Sequence, residues 1–158
     1  MESGPRALGG RSILMSPMRA ENKDIINARV KFREAFRPFC PSILAEDAPS
    51  YLEKYRPEAF MITSFDVAAD KRHLLPAVVH ADGTLRPQCV EASVNPLYWR
   101  LLSEFKRLTG VPALLNTSLN IKGEPMICAP REAIRCFFDS GMDYLAMGSY
   151  LLAKQDGD

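Results

Sequence analysis

Residues 95–125, NPLYWRLLSEFKRLTGVPALLNTSLNIKGEP, read as a helix followed by a strand whose end turns polar. Asn95 suits an N-cap and Pro96 the first helical turn, and Leu97, Tyr98, Leu101, Leu102, Phe105 and Leu108 recur on one face at helical spacing. Thr109-Gly110 stops this helix. The apolar run at 111–115 then reads as a buried strand, and Asn116-Thr117-Ser118-Leu119-Asn120 puts four small hydrogen-bonding side chains among five residues at its end. Where helices pack on a sheet, such a strand end delivers donors and acceptors to the sheet rim, where ligands bind. Asn116 and Ser118 are therefore candidates to hold a small neutral polar group such as an amide or urea. An Asx-rich turn that satisfies its own backbone has the same composition.

Outward from this unit, further helices are predicted at 22–30 and 130–139, with a short one at 50–55. In the second of these Ile134, Phe137 and Phe138 face inward and Gly141 acts as the stop. Short apolar runs bounded by Pro, Gly, Asp or Asn predict strands at 41–45, 60–65, 76–79, 86–90, 111–115, 144–147 and 150–153, with Asp82-Gly83-Thr84 as a hairpin turn. Helices interleaved irregularly with about seven strands imply an α+β fold: a mixed, twisted sheet with helices packed on it. The 158 residues suffice for one domain, 1–158, with a core that needs no staples.

Composition narrows the function. Hydrophobic residues make up 47% and charged residues 25%, and 20 Lys+Arg against 19 Asp+Glu leave a formal charge of +1, which argues against a dedicated nucleic-acid binder. The balance is uneven, however: residues 1–37 carry +4 and the rest −3. A basic segment in a neutral chain suits a local anion site and equally a solvated basic face. Cys40, Cys89, Cys128 and Cys136 form no CxxC pair and have no zinc-type His spacing, so no metal ligand set is expected. Apolar-flanked cysteines, no membrane-length apolar run and no targeting pattern at the start fit a reduced, cytoplasmic protein.

Two segments account for the positive surplus. In Gly4-Pro5-Arg6-Ala7-Leu8-Gly9-Gly10-Arg11-Ser12, glycines flank an arginine, so backbone can approach a ligand while the guanidinium offers a fork to phosphate or carboxylate. The spacing is not that of a Walker loop. In KFREAFRPFCPS, residues 31–42, cations alternate with aromatics, which can converge Lys31, Arg33 and Arg37 while Phe32, Phe36 and Phe39 anchor the segment. A polyphosphate needs such a cluster; an amphipathic helix end with solvated charges has the same pattern.

Together these segments resemble the C-terminal, YrdC-like domain of the carbamoyltransferases of antibiotic and nodulation-factor biosynthesis. The likeness runs in order through residues 2–12 (ESGPRALGGRS), residues 31–42, Leu75-Pro76-Ala77 with His80-Ala81-Asp82-Gly83-Thr84-Leu85-Arg86, Asn95-Pro96, residues 109–112 (TGVP) and residues 114–125 (LLNTSLNIKGEP). The resemblance implies an enzyme domain that uses carbamoyl phosphate and ATP with Mg²⁺ to form carbamoyl-adenylate and release pyrophosphate. An N-terminal actin-like domain then passes the carbamoyl group to a small-molecule hydroxyl acceptor. It also implies that Arg6, Lys31, Arg37 and Arg86 contact anion and nucleotide, with Asn116 and Ser118 beside them. Lys31, Arg37, Asn116 and Ser118 carry the catalytic expectation, and His80 reads as a structural hydrogen-bonding residue. Because the chain opens inside the first motif, it is expected to be truncated from a two-domain enzyme. Two alternatives share the anion site: a nucleotide- or phosphate-binding module inactive in isolation, and a YrdC-type synthase of threonylcarbamoyl-adenylate using bicarbonate and threonine. Two departures stand out: Ser3, where an aromatic is frequent, and Ala129, where a capping Thr or Ser is common.

Overall fold

The structure is a computed structural model and describes residues 4, 6–34 and 36–154. At its centre lies a four-stranded mixed sheet in the order β1 (Ser12–Met15), β6 (Ala113–Ser118), β2 (Cys40–Leu44), β5 (Gln88–Val90). Strand β6 runs antiparallel to both neighbours, with Ser12 opposite Ser118 and Cys40 opposite Asn116, while β2 and β5 are parallel. Two small antiparallel ribbons complete the strands: β3 (Phe65–Asp66) with β4 (Thr84–Leu85), and β7 (Tyr144–Met147) with β8 (Tyr150–Ala153). The predicted α+β class is the observed one, but its strands are divided among three sheets.

Side chains alternate across a strand, so the sheet has two packed faces. On one, Ile13, Ile43 and Leu115 join Ile26 and Val30, and Phe137 of α4 (Pro130–Phe138), in the larger core. On the other, Leu44, Val90 and Leu114 pack under Tyr98 and Leu102 of α3 (Pro96–Thr109). The α3 boundaries follow the predicted signals. The Asn95 side chain accepts from the Tyr98 amide at 3.2 Å, and Gly110 at φ +80° closes the C-terminus. Its inward face is narrower than predicted, because the helix spans only the sheet: Leu97, Leu101 and Leu108 point outward, and Leu97 is 81% exposed.

The first helix, α1 (Glu21–Ile26), continues as one π-helical turn, Asn27–Lys31, where the Phe32 amide donates to the Asn27 carbonyl and Phe32 adopts left-handed angles (φ 45°, ψ 46°). That turn widens the helix just before the predicted cation cluster. The short α2 covers Ala48–Tyr51. Two predicted strands are corrected. At 60–64 the chain is a loop gathered around Glu58, whose carboxylate accepts from the Phe60 and Thr63 amides, both at 2.9 Å. At 76–79 it is a turn, with the Val78 and Val79 amides on the Leu75 carbonyl. Both stretches bury apolar residues, Met61 in the first and Ala77 and Val78 in the second, which is the signal that suggested strands. Asp82-Gly83-Thr84 does form a tight turn, with Gly83 at φ +82°, but it leads into β4 rather than joining two predicted strands.

Helix α4 begins at Ala129, which has no side-chain cap; instead the Glu132 carboxylate accepts from the Cys128 and Ala129 amides at 2.6 and 3.1 Å. Half of a reciprocal cap is therefore present. Ala129→Ser supplies the other half, and thermal unfolding should show a gain of about 1 kcal/mol. Among the described residues no helix is long and apolar enough to cross a membrane.

Candidate anion-binding site

Strand β6 enters the core as Ala113-Leu114-Leu115 and turns polar at Asn116 while still buried. A polar side chain there must find partners. The Asn116 Nδ2 donates to the Ala7 carbonyl at 3.0 Å and to Ser42 Oγ at 2.8 Å, and Ser42 Oγ donates to Gln88 Oε1 at 2.7 Å. Gln88 Nε2 then donates to the Leu8 carbonyl at 2.9 Å. Each of β2, β5 and β6 thus supplies one buried polar residue, and together they fasten the Ala7-Leu8 backbone across the sheet end. Gly9 continues that path at φ +111°, so close to Tyr98 that a Cβ would lie 2.5 Å from its ring. The close approach that Gly9 permits is to α3, whereas a Cβ on Gly4 would meet nothing within 4 Å. Ser3 and Pro5 of the same motif lie outside the described residues, as does Ala35.

Anchored in this way, Arg6 stands at the mouth of a pocket of about 150 Å³ whose polar lining comprises Arg6, Arg33, Arg86, Asn116, Thr117 and Ser118, with Cys40 beside Arg86. Three arginines line it, and among the described residues no carboxylate does. Two buried polar atoms in the lining residues have no partner, Arg86 Nε and Asn116 Oδ1. Arg86 Nη2 donates only to the Cys40 thiol at 3.2 Å, a weak acceptor. Arg33 is held by Nε donation to Asn27 Oδ1 at 3.1 Å and by stacking 4.3 Å over the Phe39 ring. Burial, and then the charge of Arg37, disfavour its cationic form, yet a guanidinium stays protonated. Like charges gathered in partly desolvated space suit an anion.

Lys31 approaches the same strand end from the π-helical turn. Its Nζ donates to the carbonyls of Ser118 and Asn120 and to Asn120 Oδ1 at 2.7 Å, with Ser118 Oγ at 3.3 Å. The Ser118 hydroxyl itself donates to Asn120 Oδ1 at 2.6 Å. Lys31 is 6% exposed, and burial, with Arg33 adding to it, pulls its pKa down to about 8. A buried lysine with a lowered pKa beside a cationic pocket is a candidate functional group.

Of the sequence candidates, Arg6, Arg86, Asn116 and Ser118 line one pocket, and Lys31 bonds to its Ser118 wall. Arg37 does not line it: half-exposed, it pairs with Glu34 at 3.0 Å. Arg33, which sequence reading placed only within the cation alternation, is in the lining instead. Ser42 and Gln88 are supporting residues that the sequence reading did not single out; their signal is a polar residue inside an apolar strand. His80 sits in its turn with Nδ1 3.1 Å from Thr84 Oγ1, and burial lowers its pKa, as suits a neutral structural residue. Among the described residues no group of three His, Cys, Asp or Glu side chains could hold a metal ion.

Comparison with known proteins gives the family. The family model described as "Carbamoyltransferase C-terminus" matches residues 1–154. Nodulation protein NolNO of Sinorhizobium fredii is 48% identical over 98% of this chain and 23% of the relative. Nodulation protein NolO of Bradyrhizobium diazoefficiens is 46% identical over 98% of this chain and 29% of the relative. An uncharacterized protein of Synechocystis, sll1178, is 40% identical over 98% of this chain and 28% of its own length. The chain therefore spans about a quarter of the length of these curated relatives. By the extent of these matches, the chain belongs to the carbamoyltransferase C-terminus family.

Proposed function

We propose that this chain is the part of an O-carbamoyltransferase that makes carbamoyl-adenylate from carbamoyl phosphate and ATP. The observation that carries the reading is the pocket lined by Arg6, Arg33 and Arg86, with no carboxylate among the described residues, and by Asn116 and Ser118. Its volume suits a phosphoryl or carbamoyl group, so the remainder of a nucleotide lies over the rim. Carbamoyl phosphate and water give carbamate and inorganic phosphate; a carbamate oxygen then attacks the α-phosphorus of ATP, and the bond to pyrophosphate breaks. This chemistry needs positioning and charge compensation more than covalent help. Arg6, Arg33 and Arg86 bind the phosphoryl oxygens, Lys31 adds charge behind Ser118, and Asn116 and Ser118 orient the carbamoyl group. Mg²⁺ bound with the nucleotide would supply further charge neutralisation; among the described residues the pocket lining has no carboxylate to hold it.

In this reading the carbamoyl group passes to a hydroxyl acceptor on an N-terminal actin-like portion, and the setting is cytoplasmic, in keeping with four free cysteines. Neither nucleic acid nor membrane is a partner. The test is carbamoyl phosphate-dependent exchange of labelled pyrophosphate into ATP. Exchange with carbamoyl phosphate is expected. Exchange only with bicarbonate and threonine assigns a threonylcarbamoyl-adenylate synthase, and exchange in neither mixture leaves a binding module. The same assay on Arg33→Ala and Arg37→Ala proteins decides which arginine completes the clamp; the pocket lining favours Arg33.

A further inference from the structure

The two edges of the central sheet are treated differently. At the β5 edge the loop around Glu58 lies against the strand, and the Cys89 amide donates to the Glu58 carbonyl at 2.6 Å. At the β1 edge no described strand pairs: β1 is last in the sheet order and β6 is its only strand partner among the described residues. An open edge of this kind is a template for another strand.

A groove of about 740 Å³ runs along this edge, and all four residues of β1 line it. Both faces of the sheet open into it. Ile13 belongs to the core shared with α1 and β7, and Leu14 to the core under α3. Accordingly Ile25 lines one side and Leu97 and Leu101 the other, with Tyr144 and Leu151 of the β7–β8 ribbon completing the wall. These five apolar side chains are all exposed, Tyr144 at 68% and Leu151 at 71%. A large apolar patch bordering unpaired strand backbone marks an interaction surface.

The shape selects its occupant. A strand paired to β1 sends alternate side chains to the two sheet faces, and the groove is mostly apolar on both, with Arg29, Asn95 and Asp143 as its polar lining besides Ser12; a strand largely apolar on both sides fits, as strands inside a sheet are. Such a segment has an evident source. The matched family is the C-terminal part of carbamoyltransferases, and the chain covers only 29% of NolO, so most of such a polypeptide lies outside it. Gly9 and Gly10, which lead into β1, also line the groove.

We propose that this groove seats a strand, largely apolar on both faces, from the N-terminal portion of a carbamoyltransferase polypeptide, which joins β1 as the fifth strand of the sheet. The proposal rests on family membership and on the sheet edge. It is independent of the anion chemistry, since docking is read with no nucleotide present.

The chain is fused behind the part of Bradyrhizobium NolO that its match leaves uncovered, and amide hydrogen exchange over residues 12–15 is compared with that of the free chain. Exchange in the fusion should slow at least tenfold. Leu97→Glu with Leu101→Glu should restore fast exchange, whereas Leu108→Glu, on the same helix outside the groove, should leave it slow. Because these side chains are exposed, thermal melts of the free variants separate lost docking from lost folding. Equal exchange in the fusion and the free chain overturns the proposal. So does protection of the free chain that grows with concentration alongside a dimer in light scattering, which assigns the groove to a second copy.

Discussion

Affinity for ATP and for inorganic phosphate is expected to fall 30-fold or more in Arg86→Ala protein, while its melting temperature stays within about 3 °C of the parent. Arg86 brings a buried Nε without a partner to the pocket and spends one other donor on a thiol, so its hydrogen-bonding capacity is largely free for a ligand. Truncating one member of a desolvated, hydrogen-bonded charge pair typically costs ~2–5 kcal/mol of binding, which sets that lower limit. Stability hardly changes for the same reason: the lost bond to Cys40 is weak, and removing one of the three arginines that line the pocket relieves repulsion. Arg86→Lys should recover only part of the affinity, because an ammonium lacks the planar fork. Calorimetric titration at fixed ionic strength measures both ligands, and unchanged affinity in Arg86→Ala protein would remove Arg86 from the site.

Lys31→Met should cost at least two orders of magnitude in pyrophosphate exchange and little in stability near neutral pH. Two opposing terms decide the second part. Loss of Nζ leaves the Asn120 carbonyl without its donor, at about 1–3 kcal/mol, while the Ser118 carbonyl keeps the Asn120 amide. The folded state is also freed of a buried ammonium, whose pKa falls from 10.5 to about 8, a relief on the order of 3 kcal/mol. These nearly offset. The pH dependence then isolates the lysine. Below pH 8 both folded and unfolded chains keep its proton, and the burial penalty is fully present. Between pH 8 and 10.5 the folded chain releases that proton before the unfolded chain does, so the unfolded state binds more protons and stability rises with pH. Urea titrations across this range should show the parent gaining on Lys31→Met by on the order of 3 kcal/mol; a constant difference would mean that the ammonium is solvated.

The residues that the sequence exposes well are those whose local chemistry dictates their place. Asn95-Pro96 and Gly110 bound α3 because capping and left-handed closure are local events. The polar end of β6 was legible for the same reason, as a break in an apolar run. Non-local pairing hides the rest. β1, with its mixed Ser12-Ile13-Leu14-Met15, becomes a strand only by lying against β6, and the loop at 60–64 departs from extended structure only because Glu58 gathers its amides. Arg33 and Arg37 have equal claims in a linear reading. The π-helical turn and the left-handed Phe32 separate them, sending one over Phe39 and the other to Glu34.

Strand β6 also governs when the chain can fold. It is the shared neighbour of β1 and β2, and Ser12 waits for Ser118. At a synthesis rate of ~5–20 residues per second, β1 is out of the ribosome for roughly 5–20 s before its partner strand exists. Through that interval the β2–β5 pair is the most of this sheet that can assemble, and the arginines of the early segments have no strand end to converge on. Long-range pairing of this kind also slows refolding. The nascent chain consequently passes through a stage in which sticky strand edges are exposed, and holding chaperones would act on it up to the emergence of Ser118.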